Sequence, residues 1–164
     1  MNVSLDLNST IVNSYDFSQF IKIVELVEDS KSCISFEILK NNPKINALIC
    51  SSDDVITELK ANIPNSDIDR RCEFFNHSLF EFAPLGFQVY ILKNVLLKND
   101  SEKIVSLLNN FHRSVNLYAR LIFIEEISKL DQSSFFDLFK ANGFLKTNII
   151  PIDSKLSIIE VLRV

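Results

Sequence analysis

Residues 21–50 read IKIVELVEDSKSCISFEILKNNPKINALIC, and this stretch decides the fold. Residues 21–27 (IKIVELV) form a short apolar, β-branched run, which predicts a strand. Residues 32–40 (SCISFEILK) place Ile34, Ile38 and Leu39 at helical spacing, which predicts a helix. Residues 45–50 return to a short apolar run, a second strand. The same alternation continues toward the C-terminus. A helix is expected over residues 53–63, capped by Ser52 or Asp53, and a short strand over 72–75. Residues 88–93 (QVYILK) are apolar almost throughout, as a strand covered on both faces requires. A helix over 101–111, with Ser101 at its N-cap, leads to a strand over 118–124. A helix over 133–141 ends at Asn142-Gly143, a C-terminal stop signal. Two strands, 147–152 and 156–164, close the chain, and the short link at 153–155 pairs them as an antiparallel hairpin. Strands alternating with helices imply an α/β fold with an open, mostly parallel sheet of about seven strands. Residues 1–20 are expected to hold a lead-in helix, roughly 9–20, and residues 21–164 a single domain.

Composition narrows the function classes. The 164 residues carry 47 % hydrophobic and 23 % charged side chains, the balance of a folded globular domain. A net charge of −4 with no basic stripe argues against nucleic acid and against anionic membranes. No apolar run reaches membrane-spanning length, and the first residues, MNVSLDLNST, lack the features of a signal peptide. Three cysteines, Cys33, Cys50 and Cys72, fit free thiols in a reducing cytoplasm. His77 and His112 are the only histidines and have no partner at ligand spacing, so no metal site is expected. The 14 phenylalanines read as core, including Phe135, Phe136 and Phe139 at helical spacing.

Three segments carry a resemblance. Residues 15–49 (YDFSQFIKIVELVEDSKSCISFEILKNNPKINALI), 71–96 (RCEFFNHSLFEFAPLGFQVYILKNVL) and 135–164 (FFDLFKANGFLKTNIIPIDSKLSIIEVLRV) stand in the order found in O-methyltransferases of the caffeic-acid and hydroxyneurosporene type. The chain resembles their C-terminal catalytic domain, which implies a Rossmann-like class I methyltransferase fold. The resemblance implies further that the N-terminal helical dimerisation domain is absent. It also implies that most of the substrate-lining insertion between the fifth strand and the last helix is lost, because Glu126 is followed almost directly by Ser133. Loss of the dimerisation domain is expected to leave apolar surface near residues 10–20, and so a homo-oligomer or a protein partner.

Set against that family, the site positions are altered. The glycine-rich turn that approaches S-adenosylmethionine matches Val27, Glu28, Asp29, Ser30 and Lys31, none of them glycine. A β-branched residue resists positive φ. Two carboxylates near the cofactor's own carboxylate cost about 4 kcal/mol at 4 Å and an effective dielectric near 20, roughly a thousandfold in affinity. Read from the residues alone, Asp29 or Ser30 caps the following helix. The ribose-binding acid matches Ser51, and the acid near the adenine matches Ser78. The catalytic His matches Leu97, which accepts no proton, and general-base loss costs about 10²–10⁴ in rate. Lys93 and Glu125 match a lysine near the cofactor and the carboxylate that orients the His, although a strand-end lysine and a strand-end acid are the plain readings.

These departures lead to the expectation of a degenerate O-methyltransferase-like protein that has lost S-adenosylmethionine binding and acts as a binding or assembly module, in a natural-product setting. Two alternatives stay open. One is a repurposed enzyme of the same fold, with Lys93 and Glu125 polarising a small-molecule substrate together with His77 or Tyr90. The other is a divergent methyltransferase.

Overall fold

The computed structural model describes residues 3–164, with side chains described from residue 7 onward. One seven-stranded sheet organises the chain, in the order β3-β2-β1-β4-β5-β7-β6. Its strands are β1 (Lys22–Leu26), β2 (Asn46–Cys50), β3 (Cys72–Phe75), β4 (Val89–Lys93), β5 (Arg120–Glu126), β6 (Phe144–Pro151) and β7 (Leu156–Arg163). The first five run parallel, while β7 pairs antiparallel with both β5 and β6. This is the mostly parallel sheet with a terminal hairpin that the alternating pattern implies. The hairpin is fixed locally, since the Asp153 carboxylate accepts from the Lys155 and Leu156 amides at 2.7 and 2.6 Å.

Side chains alternate between the faces of the sheet, as the two-residue strand period demands. Val89 and Ile91 of β4, with Ile122 and Ile124 of β5, enter one apolar cluster, whereas Tyr90, Leu92, Leu121 and Phe123 enter the other. The first cluster is closed by α1 (Val3–Asn13), α2 (Ser35–Asn41), α3 (Asp53–Ala61) and α4 (Ser66–Arg70). The second is closed by α5 (Val95–Lys98), α6 (Ser101–Ser114) and α7 (Gln132–Ala141). Both faces are covered, which is why β4 reads as apolar at every position but its last.

Several local expectations shift. The helix expected over 32–40 is a 3-10 turn, Ser30–Ser32, followed by α2. Asp100 rather than Ser101 caps α6, and Asp131 caps α7, each accepting a hydrogen bond from the first turn. Helix α4 has no counterpart in the apolar pattern. It is set by Asn65, whose side chain accepts from the Ile68 amide at 2.9 Å. Gly143 has a φ of +85°, and a Cβ there would lie 2.2 Å from the His112 ring, so the stop signal after α7 needs glycine twice over.

The apolar surface expected near residues 10–20 is absent. Ile11, Val12, Tyr15, Phe17 and Phe20 are all buried in the first cluster, because α1 folds back against α2 and carries its apolar side inward. No helix among the described residues is long and apolar enough to cross a membrane.

Candidate functional site

In an open parallel sheet, ligands meet the carboxyl ends of the strands, where the chain order reverses. Here that point lies between β1 and β4, the strands whose flanking connections run to opposite sides. A cleft of about 450 Å³ opens beside it, lined by Leu26, Val27, Glu28, Ser51, Ser52, Asn76, His77, Ser78, Phe80, Asn99 and Lys103. That volume suits a nucleoside-sized molecule, within the ordinary range of roughly 300–1,000 Å³.

The first loop is rebuilt without glycine. None of residues 27–31 has a positive φ. Val27 is buried, and its amide donates to the Cys50 carbonyl at 3.0 Å. Asp29 has a φ of −135° and accepts from the Lys31 amide at 3.1 Å, capping the 3-10 turn. Its carboxylate is thereby engaged in the backbone, the local role its position suggests. Lys31 leaves the cleft and lines a neighbouring groove between α2 and α3. Glu28 stays on the cleft wall, where its carboxylate meets Lys98 Nζ at 3.2 Å.

Ser51 and Ser78 also reach the wall, but neither hydroxyl is idle. Ser51 donates to the Val27 carbonyl, tying the ends of β1 and β2 together, and Ser78 accepts from the Phe80 amide at 3.2 Å. Among the described residues, the side chains of Asn76 and His77 have no hydrogen-bond partner, and both line the same cleft. His77 packs against Phe75 and Phe82, with ring centroids 5.2 and 5.3 Å away. Lys103 lies over the Phe80 ring at 4.9 Å.

Sequence reasoning named Val27, Glu28, Ser51 and Ser78, which line this wall, and missed Asn76, Asn99 and Lys103 on it, as well as Lys98, which pairs with Glu28. The signal for Asn76 was present, since it follows a parallel strand at its carboxyl end. Another missed residue is Glu25, a lone acid inside the apolar run of β1. It is fully buried and accepts from the Ile34 and Ser35 amides and the Ser35 hydroxyl, the last at 2.6 Å. Burial still holds its carboxyl above the usual range, with those bonds opposing the shift.

Lys93 and Glu125 do not converge on the cleft wall. Lys93 is half-buried at the end of β4, where burial lowers its pKa against the pull of Glu25 and Asp29. Tyr90 is buried, and its hydroxyl donates to the Pro84 carbonyl, so it does not reach a ligand. Glu125 is the penultimate residue of β5 and has no exposed surface. Its Oε1 accepts from the Leu96 and Leu97 amides at 2.6 and 3.3 Å, while its Oε2 has no partner. Burial pushes its pKa up to about 7. Leu97 is 40 % exposed beside it and offers no donor from its side chain. Among the described residues, no group of His, Cys, Asp and Glu could hold a metal ion.

Comparison with known proteins supplies the context. A family model described as an O-methyltransferase domain matches residues 2–141. The phenazine O-methyltransferase PhzM of Lysobacter antibioticus is 22 % identical, over 92 % of this chain and 50 % of its own length. The chain therefore spans about half the length of this curated relative. The mitomycin 7-O-methyltransferase MmcR shares the fold with a TM-score of 0.88 at 22 % identity, over 99 % of this chain and 54 % of that one. The O-methyltransferase NcsB1 of neocarzinostatin biosynthesis, solved with S-adenosylmethionine and 2-hydroxy-5-methyl naphthoic acid, matches with a TM-score of 0.81 at 17 % identity, over 94 % of this chain and 52 % of that one.

A bound cofactor in that fold corrects one expectation. The loss of S-adenosylmethionine binding inferred from Val27, Glu28, Asp29, Lys31, Ser51 and Ser78 does not stand. Two parts of its physical reasoning also fail in the structure. The repulsion of two acids was counted in full, but Glu28 is paired with Lys98 and Asp29 is engaged in a cap. The resistance of β-branched Val27 to positive φ does not come into play, because the turn needs no positive φ and the cleft is open.

Proposed function

This chain belongs to the O-methyltransferase domain family, and from that membership we propose that it is a binding domain for an S-adenosyl nucleoside and a small-molecule partner, without base-catalysed methyl transfer. The observation that carries the reading is the orphaned Glu125 Oε2 next to Leu97, a buried oxygen without a donor beside a side chain that offers none. The cleft fits the nucleoside in size and chemistry. Val27, Glu28 and Ser52 would hold it from the first two strand ends, and Asn76, His77 and Ser78 from the third, with the two uncommitted side chains of Asn76 and His77 available to a base or a hydroxyl. S-adenosylmethionine, when bound, supplies an electrophilic methyl group.

The chain's own residues then fall short of the reaction at one step. A phenolic hydroxyl must give up its proton as it attacks. Leu97 takes none, and Glu125 is sealed beneath α5 without reaching the cleft wall. Missing the base costs about 10²–10⁴ in rate. Relatives in phenazine, mitomycin and neocarzinostatin biosynthesis support a natural-product setting and a small aromatic ligand class for this chain.

Calorimetry with S-adenosylhomocysteine, paired with a labelled-methyl assay on a panel of hydroxylated aromatics, tests the reading. Binding without transfer is the expected result. Leu97→His is expected to raise transfer by at least about a hundredfold. Turnover by the unmodified chain, or absence of any nucleoside binding, would overturn it.

A further inference from the structure

Helix α5 is a short strap at the edge of the cleft. It starts after Asn94, whose φ of 58° lies in the left-handed region, a conformation that asparagine tolerates better than most side chains. The amides of Leu96 and Leu97 donate to Glu125 Oε1, and its last residue, Lys98, pairs at 3.2 Å with Glu28 on the cleft wall. The next residue, Asn99, lines the cleft itself. Beneath the strap sits Glu125 Oε2, buried and without a donor. Buried oxygens of this kind are normally paired. The groups around Glu125 do not hydrogen-bond this oxygen. The Asn94 amide, which favours the ionised form, donates to the Ile124 carbonyl at 3.0 Å; Lys98 on α5, whose charge also favours it, is tied to Glu28; Ser157 opposite on β7 is uncharged, Lys93 on β4 acts with Glu25 and Asp29, and Glu126 beside it pairs with Lys129.

We propose that Glu125 positions α5 as a strap latched across the ligand cleft by Lys98 and Glu28, and that ionisation of Glu125 releases the strap and opens the cleft. The sign follows from solvation. Protonated, Glu125 is a neutral group under an apolar cover, and the strap lies closed. Ionised, its free oxygen can be hydrated only by displacing α5, so opening is favoured as pH rises toward and through about 7. A released strap carries Lys98 and Asn99 away from the mouth, which exposes Val27 and Glu28 to incoming ligand.

Amide hydrogen exchange on the unliganded protein tests this. The amides of Leu96 and Leu97 have Glu125 as their acceptor, so they report on the strap directly, with Leu107 in α6 as an internal reference. After correction for intrinsic base catalysis, their protection is expected to fall about tenfold from pH 6 to pH 8 and then level off, the change set by a group moving from a pKa near 7 to about 4.3 on exposure. Glu125→Gln should abolish this step. Lys98→Met should lower protection about twofold at every pH and leave the step in place, as befits an exposed ion pair. A flat profile in the unmodified protein, or an unchanged step in Glu125→Gln, would overturn the proposal, and the unmodified profile decides alone if that variant does not fold. The consequence for ligand entry rests on the reading of the cleft given above and is measured separately, as faster S-adenosylhomocysteine association at pH 8 than at pH 6. Absence of nucleoside binding would sink that reading while the amide profile still judged the strap.

Discussion

Glu25 and Glu125 are two buried carboxylates at the same end of one sheet, and they differ in how completely the chain answers them. Glu25, inside β1, has both oxygens met by the Ile34 and Ser35 amides and the Ser35 hydroxyl, and so pins the start of α2 to the sheet. Glu125, at the end of β5, has one oxygen met by two amides and the other by nothing. Burial raises the pKa of both. The first is a structural joint. The second is half answered, and burial pushes its pKa up to about 7. The difference teaches that burial alone does not set the role of an acid, because the donors that folding brings to each oxygen decide whether it is fully answered.

The comparison can be broken most severely at Glu25. Glu25→Ala leaves four buried donors unmet at once, the Ile34 and Ser35 amides, the Ser35 hydroxyl and the Cys33 thiol, and is expected to cost about 4 kcal/mol, read by urea unfolding at pH 7. A cost below about 1 kcal/mol would mean the joint is dispensable. Next in size is the pH dependence of Glu125. Its folded pKa of about 7 lies above an unfolded value near 4.3, so its contribution is full below 4.3 and is lost as pH rises through 7. Unfolding curves for the unmodified chain and Glu125→Gln should therefore diverge by about 2–3 kcal/mol between pH 5 and pH 8, with the unmodified chain relatively weaker at the higher pH. Parallel curves would remove the contrast with Glu25. Leu97→His sharpens it from the other side. An imidazole donor to Oε2 should recover about 1.5 kcal/mol at pH 8 and flatten the divergence, measured in the same titration. The smallest effect belongs to the latch. Glu28→Gln breaks a pair whose side chains are 50 % and 59 % exposed, and it should cost no more than about 0.5 kcal/mol.

Most of the sheet was legible because strand and helix periods are local properties. The apolar run of β4, the stop at Asn142-Gly143 and the closing hairpin are written in adjacent residues. The elements that escaped, α4 and α5, are too short to show a period and depend on Asn65 and on an acceptor from β5. Val27, Glu28, Ser51 and Ser78 line one cleft, but the partners of their charges and hydroxyls were not legible in the sequence. Lys98 stands 70 positions from Glu28, and Ser51 is 24 from the carbonyl it serves. No local pattern announces either bond.

The sequence by itself determined the order of strands and helices, the covered faces of the sheet and the family, since each rests on residues near one another along the chain. Tertiary structure decided which charges stay bare. Whether a carboxylate costs energy depends on the donors that folding brings to it and on the water that folding removes, and both come from residues far apart in sequence.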